Sequence, residues 1–259
     1  MQYVNLPAMR QAFSGFHGAP PFDHCVVDDF LLPDVLNSIE DEFLAFDSER
    51  WFCYKNALED KKALNDWNAF PKGTYSLFTY LNSPEFTAEL SELVGTQLYA
   101  DSGLHGGGWH VHGPGGNLNP HLDYSIHPKL GLQRRINIII YVARALSPEH
   151  GGHLGLWGCD LAESGPGELV QEIEPRFNRA VIFDTTQNSW HGMSRPLGDV
   201  PGLQRRSLAI YYLCHPSEAA DPRGRALYAP RAAQKGNAEI EELIRLRAGV
   251  STSEQVYKK

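Results

Sequence analysis

The run Arg135-Ile-Asn-Ile-Ile-Ile-Tyr-Val142 is the most strand-like stretch of the chain, dense in β-branched and aromatic residues. Two more such runs follow it, Ala180–Phe183 (AVIF) and Ser207–Leu213 (SLAIYYL). Gly and Pro clusters, Gly106-Gly-Gly108, Gly113-Pro-Gly-Gly116 and Gly151-Gly152, punctuate the region from Gln97 to Leu213. Short strands this dense predict a β-sandwich or barrel rather than alternating βαβ units.

Outside that region the pattern is helical. Pro33-Asp34 opens a stretch with Val35, Ile39, Phe43 and Leu44 at helical spacing, and a second helix is expected around Ser83–Leu93. Trp51–Tyr80, aromatic and charged with weak periodicity, reads as irregular structure folding over a site. The tail, Asn237–Arg247, carries Ile240, Leu243 and Ile244 on one helical face and is expected to pack outside the barrel. With no repeat and no low-complexity linker, the expectation is one domain: 1–95 as helical support and possible lid, 96–215 as the β core, and 216–259 as the tail.

At 259 residues the chain has room for one large domain or two small ones, and its 42% hydrophobic content is ordinary for a globular protein. No run approaches a membrane span, and a net charge of -8 argues against a nucleic-acid or anionic-membrane partner. Cys25, Cys53, Cys159 and Cys214 show no framework spacing, and the first residues lack a signal core. A reduced, cytoplasmic protein is expected.

The chemistry gathers around Asn119-Pro-His121-Leu-Asp123. On an extended strand His121 and Asp123 share a face and Leu122 opposes them. One His-x-Asp among eleven histidines is weak evidence on its own. His191, after the strand Ala180–Phe183 and a polar turn, supplies a second imidazole and strengthens it. Two imidazoles and one carboxylate on one side of a metal suit Fe(II) and leave positions for a co-substrate and oxygen. Arg205 and Ser207 share a face with Ala209 and Tyr211, and an Arg and a Ser inside a barrel require a buried anion. A dicarboxylate such as 2-oxoglutarate would serve.

In motif order and spacing from His110 to Leu213, the chain resembles the iron(II)- and 2-oxoglutarate-dependent oxygenases, within them the prolyl 4-hydroxylase-like group. Pro21–Phe30 also looks like the first strand of such proteins. The resemblance implies a mainly β fold with flanking helices: a double-stranded β-helix (jelly-roll) core with N-terminal helical support. It implies His121, Asp123 and His191 as catalytic iron ligands, and Arg205 and Ser207 as partners of the distal carboxylate of 2-oxoglutarate. Tyr141 matches a tyrosine that donates to the same carboxylate, although it could equally be a core aromatic. Asn137 shares its parity and is expected to face the pocket. The cofactors implied are Fe(II), 2-oxoglutarate as co-substrate and O2. Related halogenases carry a small residue where Asp123 stands, so hydroxylation is expected, by hydrogen abstraction and hydroxyl rebound.

Six further residues are candidates for substrate contact. His110 and His112 share a strand face just before the metal motif, where surface histidines are the competing reading. His153 and Trp157 share a face after the Gly151-Gly152 turn, with Trp157 alternatively core. Asn188 and Trp190 flank His191. The expected partner is a small molecule (an amino acid, a sugar nucleotide or a natural-product intermediate), because Trp51–Tyr80 is long enough to cover a pocket. A peptidyl or prolyl-type protein hydroxylase is the alternative. A non-enzymatic cupin-like metal-binding protein is a further one, disfavoured because Gly116 stands where a cupin expects glutamate and Arg205 would have no use.

Overall fold

The computed structural model describes residues 2–162, 164–252 and 256. Five α-helices are present among them: Leu6–Phe13 (α1), Pro33–Glu42 (α2), Lys72–Leu81 (α3), Pro84–Val94 (α4) and Ala238–Ala248 (α5). The first strands are His24–Val27 (β1), Phe52–Lys55 (β2), Glu59–Leu64 (β3), Tyr99–Ala100 (β4), Gly108–His112 (β5), Asn117–Leu118 (β6) and His121–Leu122 (β7). After them come Gln133–Tyr141 (β8), Leu154–Asp160 (β9), Gly165–Ile173 (β10), Ala180–Asp184 (β11), His191–Met193 (β12), Arg205–Cys214 (β13) and Leu227–Tyr228 (β14).

The larger sheet runs β1-β11-β8-β13-β5-β3-β2, with β4 beside β13 and β6 beside β3; the smaller runs β10-β9-β12-β7-β14. The curled antiparallel sheets form a double-stranded β-helix. The central strands are largely apolar because both faces are covered. Ile136, Ile138 and Ile140 of β8, with Leu208, Ile210 and Tyr212 of β13, pack against Leu77, Phe78, Phe86 and Leu90 of the helices. The alternate residues, Asn137, Ile139, Ser207, Ala209 and Tyr211, line an internal cavity. Alternation along two strands therefore divides helical support from site.

The helix ends follow local chemistry. In α4, Ser83 Oγ accepts the Phe86 amide and Pro84 occupies the first turn, while Gly95 closes the helix at φ +69°. The Glu42 carboxylate receives the amides of Gly73 and Thr74 at 2.7 and 2.6 Å, joining α2 to the positive end of α3. No described helix is long and apolar enough to cross a membrane.

Two elements differ from the sequence reading. Neither α1 nor α3 was anticipated, and Trp51–Tyr80 is more regular than expected. The latter segment folds as the β2–β3 hairpin, which joins the large sheet through β3 and β5, followed by a 3-10 turn and most of α3. The hairpin hides in the sequence because it lies at the sheet's end, where most of its side chains stay at least partly exposed and strict alternation is not imposed.

Candidate metal centre

His121 and His191 face each other directly across the β7–β12 pair, with ring centroids 4.3 Å apart. Each ring is turned by its own backbone. His121 Nδ1 lies 2.9 Å from the Asn119 carbonyl, and His191 Nδ1 lies 2.8 Å from that of Ser189. A carbonyl only accepts, so each Nδ1 carries the proton and each Nε2 lone pair is free for a metal. The Nε2 atoms stand 3.9 and 3.8 Å from Asp123 Oδ1 and Oδ2, and the three ligating atoms lie within 4.8 Å of one another. Tyr228 stacks on His121 and Phe183 packs on His191, fixing the ring planes.

The electrostatics suit a cation. Burial, aided by His191, pushes His121 down to about 3, so it is neutral at physiological pH; burial also lowers His191. Burial alone would raise the Asp123 carboxyl. Arg134, the two imidazoles and Asn137 outweigh it and hold the carboxyl below its usual range. Two neutral nitrogens and one carboxylate oxygen on one side fit an iron site.

Asp123 is held by two donors. Asn137 Nδ2 donates to Oδ2 at 3.2 Å, and Arg134 Nη1 lies 3.2 Å from Oδ1. Asn137 thus faces the cavity, where its amide is engaged by the Asp123 carboxylate. Arg134 lies between the Tyr124 and Tyr211 rings, 3.5 and 3.4 Å from their centroids, and donates to the His105 carbonyl. No role for Arg134 was read from the sequence, because strict alternation would aim it at the helices with Ile136. Between Ile136 and Arg134 the β8–β13 register shifts by one residue, and that bulge turns Arg134 inward. Asn137→Ala or Arg134→Met should each weaken Fe(II) binding by about ten- to a hundredfold, the usual cost of losing a partner of a metal ligand. Anaerobic metal titration measures this; unchanged affinity would show that the strand alone sets Asp123.

A second buried cation lines the same cavity. Arg205, 5% exposed, donates from Nε to the Gly152 carbonyl at 2.7 Å and from Nη2 to the Tyr141 hydroxyl at 3.1 Å. Among the described residues no carboxylate lies within ion-pair distance of it, and burial lowers its pKa. Ser207 is buried on the same face. Gly152, at φ +68°, permits this approach, since a Cβ there would lie 3.0 Å from Arg205 Cδ. An unpaired guanidinium, a tyrosine hydroxyl and a serine hydroxyl make a receptor for a carboxylate.

The cavity, about 330 Å³, is also lined by His110 and His112. Both His112 ring nitrogens are buried without a hydrogen-bond partner. His153, Trp157, Asn188 and Trp190 are not on its wall. Leu154 and Leu156 take the inward face of β9 with Tyr141 and Phe183, so Trp157 points outward onto Leu122, Trp190 and Ala229. His153 precedes that strand, and Asn188 is an exposed turn residue at φ +53°. Tyr54, Lys61, Arg225 and Arg247 also line the cavity without having been singled out, because nothing in their local sequence marks them.

Residues 107–213 match the family described as the 2OG-Fe(II) oxygenase superfamily. Prolyl 3-hydroxylase OGFOD1 of Xenopus laevis is 37% identical over 67 residues, a segment covering 26% of this chain and 13% of that protein's length. A Pseudomonas putida prolyl-4-hydroxylase superposes with a TM-score of 0.55 at 13% identity, covering 80% of this chain and all of that one. The carbocyclase SnoK of nogalamycin biosynthesis, described as non-heme and alpha-ketoglutarate dependent, gives 0.52 at 13% identity, covering 90% of each chain. These two likenesses show the fold. The segment that resembles the 2-oxoglutarate- and Fe(II)-dependent oxygenase superfamily contains His121, Asp123, His191 and Arg205.

Proposed function

We propose that the protein is a 2-oxoglutarate- and O2-dependent hydroxylase of a small molecule. The observation that carries this reading is the co-location, in one cavity, of the metal triad and the anion-free guanidinium of Arg205. His121, Asp123 and His191 would hold Fe(II), and Asn137 and Arg134 keep the carboxylate aimed. Arg205, with Tyr141 and Ser207 beside it, binds the distal carboxylate of 2-oxoglutarate and sets the direction in which the co-substrate points at the metal. Phe183, Leu154 and Ile139 keep that end of the cavity dry. Bound Fe(II) would supply the oxidising chemistry that places oxygen on a C–H bond as 2-oxoglutarate is decarboxylated to succinate. Asp123 fills the position a halide would need, which favours hydroxylation.

The small-molecule preference rests on enclosure: the β2–β3 hairpin contributes Phe52, Tyr54, Lys61 and Ala63 to the wall, and α5 contributes Arg247. The hairpin, the β core and the tail therefore act as one domain. A peptidyl hydroxylase is the second reading, supported by the prolyl hydroxylases among the structural likenesses. The four unpaired cysteines are in keeping with a cytoplasmic setting. Fe(II) followed by 2-oxoglutarate, added anaerobically to metal-free protein, should give a visible metal-to-ligand charge-transfer band that His191→Ala loses. Iron binding without the band would sink the assignment.

A further inference from the structure

The charge inside the cavity opposes the charge of the chain. The protein carries a net charge of -8, yet the cavity is lined by Lys61, Arg134, Arg205, Arg225 and Arg247, with Asp123 as the sole carboxylate among the described lining residues. Immediately behind the wall, Glu59 is fully buried; it lies 3.5 Å from Lys61 Nζ and 3.2 Å from Arg247 Nε and accepts from the Tyr228 hydroxyl. Arg134 is committed to Asp123, and Arg205 is reserved for 2-oxoglutarate. Arg225 has neither a hydrogen bond nor an ion pair among the described residues, and its Nε is buried without an acceptor.

Charge balance makes this imbalance a statement about substrate. With Fe(II) and 2-oxoglutarate in place, the metal's two positive charges and the co-substrate's two carboxylates cancel, so Arg225 is left with no counter-charge among the described residues. Lys61 and Arg247 are only 14% and 12% exposed and both lie against Glu59, so solvent screens this end of the cavity less than an open surface. A pocket with this excess attracts an anion and binds a neutral ligand poorly. Lys61 sits 5.0 Å from the Tyr54 ring, and Arg225 and Arg247 line the same cavity.

Building on the oxygenase reading above, we propose that the substrate carries an anionic group, a phosphate or a carboxylate, held by Arg225 with Lys61 and Arg247 at the end of the cavity bounded by Tyr54. A substrate of this class satisfies the one lining guanidinium that has no partner among the described residues and none supplied by the co-substrate. A neutral prolyl peptide would leave it unsatisfied.

The test uses protein loaded anaerobically with Fe(II) and saturating 2-oxoglutarate, at low ionic strength where charge contacts are least screened. Inorganic phosphate and, separately, acetate are titrated in and followed by calorimetry and by the charge-transfer band. One anion should bind with the band retained, phosphate if the group is a phosphate and acetate if it is a carboxylate. Arg225→Gln should weaken that binding about tenfold or more, the effect expected for one charge-assisted contact. Arg225→Lys should keep most of it, and 2-oxoglutarate affinity should stay the same in both variants. The proposal is overturned if neither anion binds, if Arg225→Gln binds as tightly as the parent, or if the anion abolishes the band by displacing 2-oxoglutarate. Failure of the band to form before any anion is added overturns the oxygenase reading instead, and the proposal with it.

Discussion

Asp123→Gly should abolish stoichiometric Fe(II) binding and all 2-oxoglutarate consumption. The substitution removes the single anionic ligand and leaves two neutral imidazoles, too few donors and no charge to retain a divalent ion. It also strands Arg134, 3% exposed, whose carboxylate partner is Asp123. An uncompensated buried charge costs about 3–5 kcal/mol, so a lower Tm is expected as well. Asp123→Asn separates the two effects, because it keeps the volume and an acceptor oxygen while losing the charge. Both variants should fail to develop the charge-transfer band; stoichiometric iron binding with a normal band in either would remove Asp123 from the ligand set.

The second large effect is expected at Arg205. Arg205→Ala should raise the 2-oxoglutarate Kd about a hundredfold, since a two-pronged guanidinium–carboxylate contact contributes roughly 2–3 kcal/mol. Fe(II) affinity should not change, because Arg205 touches no ligating atom. The loss should appear in KM more than in kcat, as for a contact made equally in ground and transition states. Arg205→Lys keeps charge but not the fork and should fall between. Unchanged 2-oxoglutarate dependence would leave the co-substrate anchor unassigned. Arg206 is a poor substitute, for it bonds Gln204 and lies over Phe43 on the opposite face of the strand.

What the sequence made legible follows from how each residue is positioned. His121, Asp123, Arg205 and Ser207 are read by strand parity, a local property, and the structure brings them together with His191 around one cavity. The strands Arg135–Val142, Ala180–Phe183 and Ser207–Leu213 were visible because burial on both faces makes them largely apolar. Parity fails where the strand start is uncertain: reading β9 from His153 put Trp157 inside, whereas its inward face begins at Leu154. It fails again at Arg134, where a bulge reverses direction, and no periodicity rule anticipates a bulge. The cations at the Tyr54 end were illegible for another reason. Lys61, Arg225 and Arg247 lie far apart in the chain and meet only through the tertiary fold.

The direct pairing of His121 with His191 also bears on how the protein matures. These two histidines sit on strands whose neighbours come from distant parts of the chain, β12 between β7 and β9, and β7 between β12 and β14. Such long-range antiparallel closure is paid in loop entropy before it returns any contact, and it is slow. A growing polypeptide therefore displays one imidazole and the carboxylate well before the second imidazole exists. An ion held by all three side chains would thus be captured late, as a seal on a completed β-helix rather than a template for it.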